Sequence, residues 1–172
     1  MEIAPTHHGT LIFERLVPAS VQTVFHAFAD PIQRAEWGAP SDTAVLLYDS
    51  ADFRPGGVDR FRCGSRNNPN VNGTTWYLQI IENSRIVSAE MIEMEGRPLS
   101  ASLTTLELWP EGESTQLRST SQVVSFVGSE MLKNYQIGND GALDNLVRYF
   151  AGQSIPPSGD AEAARTLTLR RP

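Results

Sequence analysis

The sequence predicts an α+β domain of order β-α-α-β6-α, with a curved antiparallel sheet wrapped around a long C-terminal helix and a cavity between them. Three observations carry this expectation. Two short helical stripes, separated by Asp30-Pro31, follow an opening strand. Six strand-like runs joined by short turns fill the middle of the chain. After Gly128 the apolar spacing changes to a helical period.

The elements follow in order. Residues 10–17, TLIFERLV, are rich enough in β-branched and aromatic side chains for a strand that ends at Pro18. Ser20 then stands as a helix N-cap, and Val21, Val24, Phe25 and Phe28 form one apolar stripe. Pro31 pushes the residue before it out of the α region, so this helix stops. Pro31 can also open a second short helix, capped by Asp30 and carrying Ile32 and Trp37 inward.

From residue 43 to 126 the runs read TAVLLYDSADF, VDRFRCGSR, TTWYLQII, RIVSAEMIEM, LSASLTTLELW and TQLRSTSQVVSF. The turns expected between them are Pro55-Gly56-Gly57, Asn67-Asn68-Pro69-Asn70, Glu82-Asn83-Ser84, Glu95-Gly96-Arg97-Pro98 and Pro110-Glu111-Gly112-Glu113. Connections this short cannot cross over to a parallel neighbour, so the sheet is an antiparallel meander. Beyond Gly128, Leu132, Tyr135, Ala142, Leu143, Leu146, Val147 and Phe150 fit a helical stripe with Ser129 as cap and Gly152 as stop. Gly138 and Gly141 weaken that helix, and a bend between them is expected. The domain spans residues 1–152, and residues 153–172 read as a flexible tail in which TLTLR could add an edge strand.

Composition narrows the function. The 172 residues carry a net charge of −6 and a pI near 5.0, without the basic footprint of a nucleic-acid binder or of a protein held on an anionic membrane. No window reaches the ~18 apolar residues that a membrane span needs, and the N-terminus has no signal-peptide pattern, so a cytoplasmic location is expected. The single cysteine, Cys63, rules out an intrachain disulfide and reads as a small buried hydrophobe. His7-His8 point to opposite faces of an extended chain, so no metal site is expected, and no cofactor.

Candidate wall residues come from strand alternation. In GGVDRFRCG, Asp59, Phe61 and Cys63 share one face and Val58, Arg60 and Arg62 the other. Either the apolar set faces the cavity and the arginines are solvated, or Arg60 points inward and needs an acidic partner, for which Glu90 is the candidate. Trp76 and Tyr77 lie on opposite faces, so one of them lines the interior. Ser119 and Ser121 are small polar residues where a filled core would want bulk, and Tyr135 could present a hydroxyl from the last helix.

The stretch ERLVPASVQTVFHAFADPIQRAEWGAP resembles the opening of the START-like (SRPBCC, helix-grip) superfamily, in the branch related to the activator of heat-shock-protein-90 ATPase. The resemblance continues through Phe53-Arg54-Pro55-Gly56-Gly57 with Arg60-Phe61, through Ser84-Arg85-Ile86-Val87 with Glu90, and into Gly138 to Phe150. It covers about residues 9–151. It implies the helix-grip fold, which hosts lipid transfer, aromatic cyclisation, hormone binding and co-chaperone roles.

The function expected first is binding of a small, largely apolar molecule, with Trp37, Phe53, Phe61, Trp76, Glu90 and Tyr135 as wall residues and Arg60 and Ser121 among the polar contacts. An enzyme of the cyclase, dehydratase or hydrolase type in the same cavity comes second, although no nucleophile elbow, P-loop, dinucleotide fingerprint or zinc-protease motif is present. A modulator of a chaperone ATPase, which a pull-down with the chaperone would test, comes third. The partner is a small hydrophobic ligand, and a homodimer is compatible with the chain.

Overall fold

A computed structural model describes residues 5–152. Strand β1 (His7–Val17) leads into helix α1 (Val21–Ala29), whose N-cap Ser20 accepts the Thr23 backbone N–H at 3.3 Å. Asp30 ends α1 in an extended conformation and caps helix α2 (Pro31–Trp37), accepting the Ile32 N–H at 2.8 Å through Oδ1. Pro31 fits the first turn because a proline there forfeits no hydrogen bond. The inward face of α2 differs from expectation. Ile32 is only half-buried, whereas Arg34, Ala35 and Trp37 are buried, since three-residue spacing puts Arg34 and Trp37 on one side of the helix.

Strands β2 (Ala44–Ser50), β3 (Val58–Ser65), β4 (Asn68–Ile81), β5 (Arg85–Met94), β6 (Arg97–Glu111) and β7 (Ser114–Ser125) form the meander. Every pairing is antiparallel, and β1 adds beside β7, giving the order β1-β7-β6-β5-β4-β3-β2.

Two turns are shorter than the sequence suggests. Asn68-Pro69-Asn70 belong to β4, because Ser65 already pairs with Asn68 across Arg66-Asn67. Proline is tolerated there because it sits at a register shift of the β3–β4 ladder, beyond the first β4–β5 pair, Val71 with Met94. The turn before β6 is only Glu95-Gly96, both in the left-handed region at φ 53 and 73, as a tight two-residue hairpin requires.

Helix α3 (Glu130–Phe150) runs unbroken through Gly138 and Gly141, where an interruption was expected. Close approach explains Gly141, where a Cβ would stand 2.8 Å from the Pro40 carbonyl oxygen; at Gly138 a Cβ would make only ordinary contact, 3.5 Å from Pro40 Cβ. Ser129 occupies the cap position, but with helical dihedrals and no capping bond from its side chain. The helix is clamped to β1 by Arg15, which reaches Asp140 and Asp144 at 2.9 Å each. Its buried residues Leu143 and Leu146 join Phe13, Val17, Val24, Phe25 and Leu117 in the core. Among the described residues no helix is long and apolar enough to cross a membrane. The tail expected over residues 153–172 lies outside the described residues.

Candidate functional site

Core packing closes one end of the sheet–helix sandwich and leaves the other open as a cavity of about 320 Å³. Phe28 and Trp37 from the helix pair, Tyr48 from β2, Phe61 from β3 and Tyr135 from α3 supply aromatic walls, with Ile86 and Leu106 between them. The Trp37 indole donates through Nε1 to the Ala27 carbonyl at 3.2 Å and meets the Phe28 ring edge-on at 4.9 Å. One face of Trp37 is thus anchored in the core while the residue still borders the open space. Gly73 makes room for Phe61, since a Cβ there would lie 2.0 Å from the ring.

One polar cluster sits where α2 meets the sheet. Arg34, 8% exposed, meets Asp59, 1% exposed, with Nη2 at 2.8 Å from Oδ2. Tyr77 donates its hydroxyl to the same Oδ2 at 2.6 Å and also accepts from Arg34 Nη1. The other carboxylate oxygen of Asp59 accepts the Asp52 backbone N–H at 2.7 Å. The Tyr48 ring covers the guanidinium, with its centroid 4.5 Å from Cζ. Burial alone would lower the Arg34 pKa, but Tyr48, Tyr77 and Asp59 outweigh it and hold the group charged. Burial also pushes the Tyr48 hydroxyl up to about 12.

A second polar group, Glu90 on β5, is also part of the cavity wall. Its bonded partner is Thr75 on β4, which donates to Oε2 at 3.0 Å. Burial raises this carboxyl to about 7, and the Thr75 bond offsets part of the rise. Its exposure is intermediate because what it faces is the cavity. Nearby, burial and then Glu90 push the Cys63 thiol up to about 11 and raise the Tyr135 hydroxyl. Such a cavity can bury apolar surface, offer hydrogen bonds at two places, and exchange a proton near neutral pH at one of them. Among the described residues no three His, Cys, Asp or Glu side chains come together as a metal set.

Of the residues singled out from sequence, the fold brings Trp37, Phe53, Phe61, Glu90 and Tyr135 to the cavity wall. Arg60 and Trp76 are not there. Both are exposed on the outer face of the sheet, Trp76 at 40%, because Asp59 and Tyr77 take the inward positions of their strands. The Arg60–Glu90 pairing therefore does not form. Ser121 is buried one layer behind the wall, sharing a 2.8 Å hydrogen bond with Thr104 and lying 3.4 Å from the Tyr135 hydroxyl, while Ser119 lines the space.

Sequence reasoning missed Arg34, Tyr48 and Thr75 and did not pair Asp59. The available signal was alternation: it placed Asp59 on the face of Phe61, a buried Asp needs a cation, and Arg34 lies three residues before Trp37 on the same side of a helix.

Comparison with known proteins agrees with this architecture. A protein from Rhizobium loti is 35% identical over 84% of this chain and 98% of its own, with a TM-score of 0.73. A putative uncharacterized protein from Rhizobium leguminosarum is 30% identical over 87% of this chain and 98% of its own, at a TM-score of 0.71. At 21% identity, a Chromobacterium violaceum protein shares the fold, with a TM-score of 0.73 over 86% of this chain and 97% of its own. Among curated proteins none matches. The sequence model described as Activator of Hsp90 ATPase homolog 1-like protein matches residues 18–151, nearly the whole of the sheet and its helices. The chain belongs to that family, within the START-like helix-grip fold.

Proposed function

We propose that this protein binds a small, largely apolar molecule in the space between the curved sheet and α3. The observation that carries the proposal is the cavity itself: about 320 Å³ stay open beside a well-packed core, with aromatic rings on several sides. An unfilled apolar void of that size forfeits contact energy, so a ligand that fills it binds by removing apolar surface from water, at ~25 cal/mol per Å². Native mass spectrometry of freshly purified protein, with a fluorescence titration against naphthalene, tests this. A co-purifying mass released on unfolding, or saturable uptake of naphthalene, supports the reading. Neither of the two, over repeated preparations, sinks it.

Glu90 favours a second reading, an enzyme that uses its carboxyl as general acid and base on a bound substrate. A group that titrates near the working pH can both give and take a proton, and burial brings Glu90 to about 7. Carbon-13 NMR of the labelled carboxyl checks this. An ordinary carboxylate titration would remove the basis for it.

A further inference from the structure

The carboxyl of Glu90 is open to the cavity and has no cation. Thr75 donates to Oε2 at 3.0 Å, whereas Oε1 has no hydrogen-bond partner among the described residues. Arg34 Nε and Nη2 are sealed off, but Oε1 keeps accessible surface on the cavity wall, so a ligand atom can reach it. Among the described residues that line the cavity, Arg34 is the only cation. It is bound to Asp59 at 2.8 Å and to Tyr77, and serves neither Glu90 nor a ligand anion. A carboxylate taken out of water without a counter-charge is costly.

Strand register fixes what surrounds Oε1. Glu90 pairs with Thr75 on one side and Ser102 on the other, side chains about 5 Å apart across each ladder. Tyr135 of α3 brings its hydroxyl to Ser102 Oγ at 3.3 Å and Ser121 Oγ at 3.4 Å. Its one hydrogen goes to a serine, so its oxygen still offers the cavity a lone pair. On the Thr75 side, the Phe61 ring fills the space over Gly73, the diagonal neighbour of Glu90. Glu90 thus stands between a second acceptor and an aromatic wall.

We infer that the ligand is a primary amine on an apolar, ring-sized body, bound as its ammonium ion by Glu90 Oε1 and the Tyr135 hydroxyl oxygen. Hydrogen count and charge both select this class. The two oxygens are acceptors, and a ligand hydroxyl has one hydrogen, enough for one of them. An ammonium has three hydrogens, serves both oxygens and supplies the missing positive charge. A ligand carboxylate would face Glu90 with no cation in reach. The apolar body then lies against Phe61, Tyr48 and Trp37 on the cavity wall. The inference rests on the ligand-binding reading above.

The test is fluorescence titration of the full chain with methylnaphthalene, naphthylmethanol, aminomethylnaphthalene and naphthoate, which differ in the one group carried by the ring. It is run at pH 8, where Glu90 is ionised and the amine is charged. Methylnaphthalene reports on the cavity alone. Aminomethylnaphthalene is expected to bind about tenfold tighter than methylnaphthalene, with naphthylmethanol between them and naphthoate weakest. In Glu90→Gln, which keeps the shape and loses the charge, the advantage of the amine over methylnaphthalene disappears. In Tyr135→Phe, which loses the second acceptor, that advantage falls about threefold. A variant that fails to fold is recognised by its far-ultraviolet circular dichroism, and Glu90→Met or Tyr135→Leu then replaces it. Methylnaphthalene uptake with no gain from the amine overturns the inference and leaves the binding reading standing. So does tighter binding of naphthylmethanol or naphthoate than of the amine, or an amine advantage undiminished in either variant. Failure of all four compounds to bind also overturns it, and the native mass spectrum then decides whether the binding reading falls as well.

Discussion

Arg34 and Asp59 meet at the base of the cavity, Nη2 to Oδ2 at 2.8 Å, and tie helix α2 to strand β3 where both side chains are buried. The pair is the polar hinge between the helix pair and the sheet. It fixes the helix whose last residue, Trp37, forms part of the wall.

Removing one member of this pair leaves an uncompensated buried charge. Asp59→Ala is expected to cost about 3–5 kcal/mol, whereas replacing both residues, Arg34→Met with Asp59→Leu, restores much of that loss. Tyr77→Phe, which deletes the hydroxyl donated to Asp59 at 2.6 Å, costs about 1–3 kcal/mol. Urea unfolding midpoints measure all three. Equal losses in the single and double variants would show that the pair is not coupled.

Glu90 makes stability fall as pH rises. Its folded carboxyl titrates at about 7 against an ordinary 4.5, so between those values the folded chain holds a proton that the unfolded chain has released. Stability from this group is therefore greatest below about 4.5, declines across the interval, and is lowest above about 7, by up to ~3 kcal/mol. Tyr48, Cys63 and Tyr135 face Glu90 from β2, β3 and α3, and all three are raised above their ordinary values, so none titrates in that interval. Glu90→Gln should flatten this component of the profile and be more stable than the parent at pH 8. An unchanged slope between pH 5 and 7 in denaturant titrations would contradict the assignment.

Gly73→Ala should act on the cavity through Phe61. The new methyl would sit 2.0 Å from the ring, so the ring must move, and it lines the open space. The expected outcome is a loss of about 1–3 kcal/mol together with weaker uptake of naphthalene. A crystal structure of the variant with Phe61 unmoved would refute the account.

The two glycines of α3 should respond oppositely to alanine. Each substitution gains about 1 kcal/mol in helix propensity. At Gly138 the new methyl makes ordinary contact with Pro40 at 3.5 Å, so the gain survives and thermal stability rises. At Gly141 the methyl comes 2.8 Å from the Pro40 carbonyl oxygen, backbone that cannot swing aside, and stability falls. Thermal unfolding of the pair decides it.

Local chemistry in the chain was enough to specify most elements. Ser20, Asp30-Pro31 and the stripe Val21, Val24, Phe25 and Phe28 are signals a few residues long, and the helix pair forms where they place it. The short turns made the meander antiparallel, and alternation put Asp59, Phe61 and Cys63 on one face, because a strand has only two faces. Where an alternative was left open, as for Trp76 against Tyr77 and for Arg60, the deciding fact was which face of the strand met the helix pair.

What only the tertiary structure decided are the relations between distant segments. Arg34 lies 43 residues from Tyr77 in the chain, yet donates to its hydroxyl. Pro40 lies against Gly141, and Tyr135 near Ser102 and Ser121. None of these contacts has a sequence period, because a pattern of neighbours records which side of an element is apolar and not which element it meets. The sequence by itself determined the elements and which residues share a face. The closing of the sheet around α3 determined which inward residues found partners, burying Arg34 against Asp59 and Tyr77 and leaving Glu90 on the cavity wall.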